Sequence, residues 1–377
     1  MKRKKFGFLS NKKHRGIVLL CIILVLIVVF ALGICVRSCL YFDDEGAHVI
    51  DRYGILEAEA QGSGETLAAE QGSAGEAGSA AEQPTEEEPT DSETPQSVRA
   101  VTVSAQSLAT DATYLKQLTT LIEEDIVDTV IVDLKTENGY LTIGCTTQIL
   151  DTSGLTLQYA DAMESAVKSL KTAGARIVGR VYCFMDNHAT KTNMSLSVKY
   201  YESSNWLDYK NNRWLDPENS DSVQYLCDII SSGAALGCDE FLLENFCYPT
   251  SGNLVAACYD ETTDADGHKI VMEENLQSLQ AAANGLPVGL YVDDVTDVDE
   301  MSGVVLEDVY ESVYRVCTGL NYENQDGIDA VAAELAEITG SSKKLTPFFT
   351  GSYGWSQTEG TAVLNTDSSS YAIYDLN

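Results

Sequence analysis

The feature that most constrains the fold of this chain is a phrase it repeats: a helix-like stretch, a glycine, and at once a short apolar run. "YADAMESAVKSLKTAG" ends at Gly174 and leads into "ARIVGRVYCF", and "SDSVQYLCDIISSGAALG" ends at Gly237 and leads into "DEFLLENF". "MEENLQSLQAAANG" before "LPVGLYVD" and "QDGIDAVAAELAEITG" before "KKLTPFFTG" follow the same pattern. Upstream, "DATYLKQLTTLIEEDI" puts Leu115, Leu118, Ile122 and Ile126 on one face and precedes "DTVIVDLK". Apolar spacing near 3.6 marks the first part of each phrase as helix, and glycine past the last turn supplies a left-handed cap. The runs that follow, rich in Val, Ile, Leu and aromatics, read as strands covered on both faces.

Eight strands are predicted, at 98–105, 128–135, 176–184, 240–246, 287–292, 312–319, 345–350 and 370–376, with a short helix at 296–303. Strands that alternate with helices run parallel through right-handed crossovers. Eight such units in about 280 residues fit a (β/α)8 TIM-type barrel, since these barrels take ~250 residues. An open doubly wound sheet is the alternative, but no glycine-rich phosphate loop follows the first strand.

The segments before residue 98 have other compositions. Residues 1–16 hold seven Lys and Arg and no acid, and "IVLLCIILVLIVVFALGICV", Ile17 to Val36, has no charge and no proline. Such a run matches the ~20 residues of a membrane-spanning helix. The basic flank predicts a cytoplasmic N-terminus and an extracellular C-terminal domain, a single-pass cell-membrane protein. The apolar run is too long for a signal-peptide core and lacks a small-residue cleavage site. Residues 37–97 form a juxtamembrane segment and then an acidic linker: 57–97 has eleven Asp and Glu, no Lys or Arg, and almost nothing to bury. That composition predicts an extended, disordered spacer.

The domain at 98–377 has 15 Lys and Arg against 42 Asp and Glu. This balance excludes nucleic acid and anionic lipid as partners of its surface. Seven cysteines lie in this domain, at 145, 183, 227, 238, 247, 258 and 317. They read as mostly buried thiols, with a Cys247–Cys258 bridge as a lesser alternative. No Cys/His set has zinc spacing, and "TTDADGHKIVME" only partly follows a calcium loop, so no metal or cofactor is expected. The plainer reading of that stretch is an Asp-Gly turn joining two short strands.

Active sites of such barrels lie at the C-terminal strand ends. Those ends carry Asp133 and Lys135 on strand 2, Arg180 and then Asp186 on strand 3, Glu244 and Asn245 on strand 4, and Asp293 and Asp294 on strand 5. Strand 7 runs into "GSYGW", with Trp355. The long loop after strand 3 holds Tyr200, Tyr201, Trp206, Tyr209 and Trp214. Aromatics beside acids suit sugars, because ring faces stack while carboxylates take hydroxyls. The alternative is that these aromatics only pin the loop. "WLDP" reads as a helix start, with Asp216 as its cap.

"VIVDLKTENGY", "RIVGRVYCFMD", "WLDP" and "GCDEFLLENFCYP" stand in the order and spacing of a bacterial family of glycoside hydrolase-like barrels, often exported or membrane-anchored, which this chain resembles. The resemblance covers about 98–377 and is most specific over 128–249. Asp133, Lys135, Arg180, Asp186, Asp239, Glu240 and Pro249 match its pattern. Glu244 stands where the family has Asp, Asn245 where it has Tyr, and Cys247 where it has Arg.

Glycoside hydrolysis needs two carboxyl groups, one a proton donor with a raised pKa. Glu244, on an apolar strand, is the expected donor, with Asp133 or Asp186 as base or nucleophile. Lys135, Arg180, Asn245, Asp293, Trp206, Trp214, Tyr248 and Trp355 are the expected substrate-binding residues. The expected function is cleavage of a cell-envelope or capsular polysaccharide. The alternative is an inactive barrel that binds glycan or an envelope protein, to which the departures at 244, 245 and 247 point. Four histidines form no Ser/His/Asp pattern, which makes acyl transfer a poor third reading.

Overall fold

The structure is a computed structural model that describes residues 40–43, 46–49, 94–201, 204–259, 264–296, 299–321, 325–350 and 371–373. The apolar run Ile17–Val36, most of the acidic linker, and Trp355 lie outside these residues. Among the described residues no helix is long and apolar enough to cross a membrane. The chain divides into two units, 1–85 and 86–377. In the first, Leu40–Asp43 pairs antiparallel with Gly46–Val49.

The second unit is the barrel. Its strands are β1 (Arg99–Val103), β2 (Thr129–Lys135), β3 (Arg176–Tyr182), β4 (Glu240–Glu244), β5 (Val288–Val292), β6 (Val316–Asn321), β7 (Leu345–Thr350) and β8 (Tyr371–Ile373). Each pairs parallel with the next, and β8 pairs with β1 to close the ring. The open-sheet alternative is thereby excluded. The helices between strands include α1 (Ala112–Glu123), α2 (Ala160–Thr172), α3 (Ser220–Leu236), α4 (Ala265–Ala282) and α5 (Gln325–Thr339).

Local chemistry sets the helix ends. The Asp111 carboxylate accepts from the Thr113 and Tyr114 N–H groups and starts α1, whose Leu118 and Ile122 are buried. Gly237 ends α3 at φ +107° and returns its N–H to Gly233 and Ala234, a conformation a side chain would strain. Two expectations fail here. Asn219, not Asp216, caps α3; Asp216 instead accepts from the Glu218 N–H in the turn before it. The segment "DADGHK" is not a turn between strands: Asp264 caps α4 by accepting from the Gly267 N–H, and the helix begins there. An Asp three residues before the N–H it accepts from serves a helix start, and an Asp-Gly pair inside the first turn does not break it.

Two apolar layers result. The larger lies between barrel and helices. The smaller fills the barrel with Ala100, Ile131, Val178, Leu242, Cys317 and Phe348. Below it, at the N-terminal strand ends, Glu240 is fully buried and receives Arg315 Nε at 2.5 Å and Arg176 Nη2 at 2.9 Å. Above it stand the polar side chains of the opposite pole.

The seven described cysteines are all free thiols; 145, 183, 238 and 317 are buried, and no Cys247–Cys258 bridge forms. Among the described residues no group of three or more His, Cys, Asp or Glu side chains could hold a metal ion.

Candidate active site

Side chains alternate along a strand, so every second residue of β2, β3 and β4 points into the barrel. On β4 these are Glu240, Leu242 and Glu244, which places Glu244 at the C-terminal pole. Asp133 and Arg180 are register partners on β2 and β3. The Arg180 guanidinium joins both carboxylates, with Nε 2.6 Å from Asp133 Oδ1 and Nη1 3.3 Å from Glu244 Oε2. It also lies over the Tyr182 ring, 5.0 Å from its centroid. Thus three of the residues read from the strand ends meet.

Their burial differs. Arg180 is almost sealed, while Asp133 and Glu244 stay partly open, with side chains 22% and 13% exposed. Burial opposes the Arg180 charge, but Asp133, Tyr182 and Glu244 outweigh it and raise its pKa well above the usual arginine range. Burial pushes the Glu244 carboxyl up from 4.5 to about 7. Arg180 works against that rise, and the negative charges of Asp133, Asp293 and Glu137 add to it. Tyr159 is raised too, by burial and then by the Asp133 charge, which places its ring in the same field.

Glu244 opens on a cleft of about 140 Å³, bounded by Asn245, Cys247, Thr250, Tyr291 and Asp293 among others. Asn245 adopts φ +50°, a left-handed conformation that Asn tolerates better than most residues. Its carbonyl accepts from the Phe184 N–H and that of Glu244 from the Cys183 N–H, so the end of β4 is tied to the exit of β3. Asp294, Asp299 and Ser302 close the far side. Asp299 and Ser302 were not anticipated. They belong to a single 3-10 turn, with Asp299 as its cap, within the stretch 296–303 expected as a short helix.

Five expected site residues are placed elsewhere. Asp186 is fully buried and forms an ion pair with the equally buried Lys135 at 3.0 Å. Its Oδ1 accepts from the His188 and Ala189 N–H groups, at 2.8 and 2.7 Å. Lys135 Nζ also donates to the carbonyls of Tyr182, Cys183 and Met185. A register shift between Asp133 and Lys135 accounts for this: the irregularity turns the lysine away from the barrel mouth and under the β3 exit. The pair is a buried clamp, set apart from the Arg180 guanidinium that joins Asp133 and Glu244.

Trp206 and Trp214 are 1% and 7% exposed, with indole N–H groups donating to Asn253 O at 2.7 Å and Asp208 Oδ2 at 3.3 Å. Both are buried within the loop and hydrogen-bonded to it or to its neighbour. Tyr248 is buried, donates to Glu218 Oε1 at 3.1 Å and stacks on His268 with ring centroids 3.7 Å apart. Large aromatics in a long loop could serve either burial or binding, and composition alone does not separate the two.

A family model described as "Putative glycosyl hydrolase domain" matches residues 100–298, which span β1 to the loop after β5 and hold Asp133, Arg180, Glu244 and Asp293. The chain belongs to this glycosyl hydrolase-type family. The matched region ends before β6, so it includes Asp133, Arg180, Glu244 and Asp293 but neither Asp299 and Ser302 nor the last three strands. No curated protein matches the chain.

Among solved structures, a hypothetical protein from Ruminiclostridium thermocellum is 20% identical, with 51% of this chain and 95% of its own covered at a TM-score of 0.44. The catalytic domain of a β-amylase from Paenibacillus polymyxa is 11% identical, covering 73% and 91% at 0.44. A GH20 exo-β-N-acetylglucosaminidase from Vibrio harveyi is 10% identical at 0.44, and the chain spans 42% of its length. Likeness at this level says nothing of activity.

Proposed function

We propose that this barrel is a glycoside hydrolase acting on a cell-envelope or capsular polysaccharide. The observation that carries the reading is the pairing, through one guanidinium, of two carboxyl groups in unlike settings. Glu244 is raised to about 7 and so holds a proton near neutrality. A carboxylic acid of that kind can protonate a departing glycosidic oxygen. Asp133, the more exposed of the two and paired to Arg180, is the carboxylate that would face the developing positive charge at the sugar carbon or activate water. Arg180 orients both. Asp293 and Asn245 supply acceptors and a donor for hydroxyls. The apolar run Ile17–Val36 would tether the domain outside the membrane, with residues 57–97 as spacer.

One observation favours a second reading, glycan binding without cleavage. Asp133 is already engaged by Arg180 at 2.6 Å, and a nucleophile must leave such a contact to react. The same experiment separates the two. The full-length chain, its Glu244→Gln form and its Asp133→Asn form are incubated with a panel of envelope polysaccharides, and released reducing ends are measured. Hydrolysis predicts release by the parent and loss in both variants. Retention of polymer with no release by the parent supports binding alone. Equal release by all three forms contradicts the assignment of these residues.

A further inference from the structure

The loops leaving β3 and β4 do more than cover the pole. Lys199–Tyr200 pairs antiparallel with Ser204–Asn205 and with Ala257–Cys258, so the two loops share a small three-stranded sheet. On and around this sheet large apolar side chains face solvent. Tyr200, Tyr201 and Tyr209 are 40%, 52% and 61% exposed, and Val255 is 86% exposed. Clustered exposure of this kind marks an interaction surface more often than chance.

The support beneath is rigid. Trp206 is sealed under it and held by Asn253 O. Asp208 accepts from the Lys210 and Asn212 N–H groups, both at 2.8 Å, and fixes the turn that carries Tyr209. Gly252 sits at φ +122°, where a Cβ would meet the Trp206 ring at 2.4 Å. Tyr201 itself adopts φ +44°, a costly conformation for a bulky residue, and its N–H donates to Ala256 O. Tyr200 and Tyr201 meet edge to face, with centroids 4.7 Å apart.

The surface is also near the cleft along the chain. Thr250 lines the cleft beside Glu244, and Leu254, partly exposed on the tyrosine side, follows four residues later. That length of chain spans at most ~14 Å. Both loops leave C-terminal strand ends, the pole on which Glu244 opens.

We propose that Tyr200, Tyr201 and Tyr209 form a stacking platform for an uncharged polysaccharide chain where it extends beyond the Glu244 cleft. The proposal rests on the glycan reading of the cleft for what the polymer is, but binding to the platform needs no cleavage. Tyrosine suits this role because its ring meets the apolar face of a sugar while its hydroxyl meets water, at little entropic cost. A nucleic acid could also stack on these rings, but 42 acids against 15 bases in residues 98–377 repel it. The same imbalance disfavours acidic polysaccharides.

The test is co-sedimentation of the full-length chain, kept in a detergent without a sugar head group, with chitin, cellulose, insoluble β-1,3-glucan and deproteinised envelope glycan. Two forms accompany the parent: Tyr200→Ser/Tyr201→Ser/Tyr209→Ser and the corresponding triple Phe form. The parent and the Phe form are expected to be retained alike by at least one polymer, and the Ser form roughly tenfold less or worse. Retention of the Ser form equal to the parent overturns the proposal, as does failure of every polymer to retain the parent. Retention that follows this pattern without any cleavage by the parent would leave the platform standing and remove the hydrolase reading.

Discussion

Glu240 and Glu244 stand four residues apart on β4 and point into the same barrel, yet they meet opposite surroundings. Glu240 is sealed at the N-terminal pole between Arg315 and Arg176. Glu244, at the other pole, has one guanidinium contact shared with Asp133 and further negative charge around it. A buried carboxylate with ample counter-charge is structural; one with too little holds its proton.

Glu244 therefore makes stability depend on pH. Its folded pKa, about 7, lies above the ordinary carboxyl value of 4.5. Its contribution is fully present below about pH 4.5 and is lost as pH rises through about 7, with an integrated effect on the order of 3 kcal/mol. Glu244→Gln fixes the neutral form. Urea unfolding is expected to show the variant equal to the parent at pH 4.5 and more stable by a few kcal/mol at pH 8. A difference that does not grow with pH contradicts the assignment.

Arg180→Met removes the cation that holds Glu244 down and pairs Asp133. Two carboxyl groups would then share the pole without counter-charge, at a stability cost of about 3–5 kcal/mol at pH 8. The Glu244 carboxyl is expected to titrate higher still. In any polysaccharide cleavage that survives, the fall in rate on the alkaline side moves to higher pH. A limb that stays in place would assign that limb to another group.

The Lys135–Asp186 pair predicts a different pattern. Lys135→Met leaves a fully buried carboxylate with only its backbone donors, and denaturant unfolding is expected to show a loss of about 3–5 kcal/mol. Lys135→Met with Asp186→Leu removes both charges and is expected to recover part of that loss, read as a positive coupling in the double-mutant cycle. Wherever these forms remain folded, their cleavage rate per folded molecule stays near the parent's. A selective rate loss in a folded Asp186→Asn form would restore Asp186 to the catalytic set.

Much of this was legible in the sequence, for physical reasons. Glycine after an amphipathic stretch and an apolar run after the glycine specify the αβ unit, and strand alternation then assigns Asp133, Arg180 and Glu244 to one pole. The Lys135 bulge was not legible, because a register shift of one residue reverses where a side chain points. Gly139 is the residue that makes room for Asp186: at φ +91°, a Cβ there would lie 2.1 Å from Asp186 Oδ1, so the turn after β2 closes directly over that carboxylate. The burial of Trp206 and Tyr248 was not legible either, because bulk and aromaticity serve a buried loop anchor as well as a sugar. Tyr200, Tyr201 and Tyr209, from the same loop, are the ones left at the surface.

The most direct test of the central claim is the titration of the Glu244 carboxyl itself, by infrared difference spectroscopy of the full-length chain against Glu244→Gln between pH 3 and 9. The account predicts a protonated carboxyl band that disappears with a midpoint near 7 and is absent from the variant. A midpoint at or below 4.5, with Glu244 ionised throughout the neutral range, would contradict it.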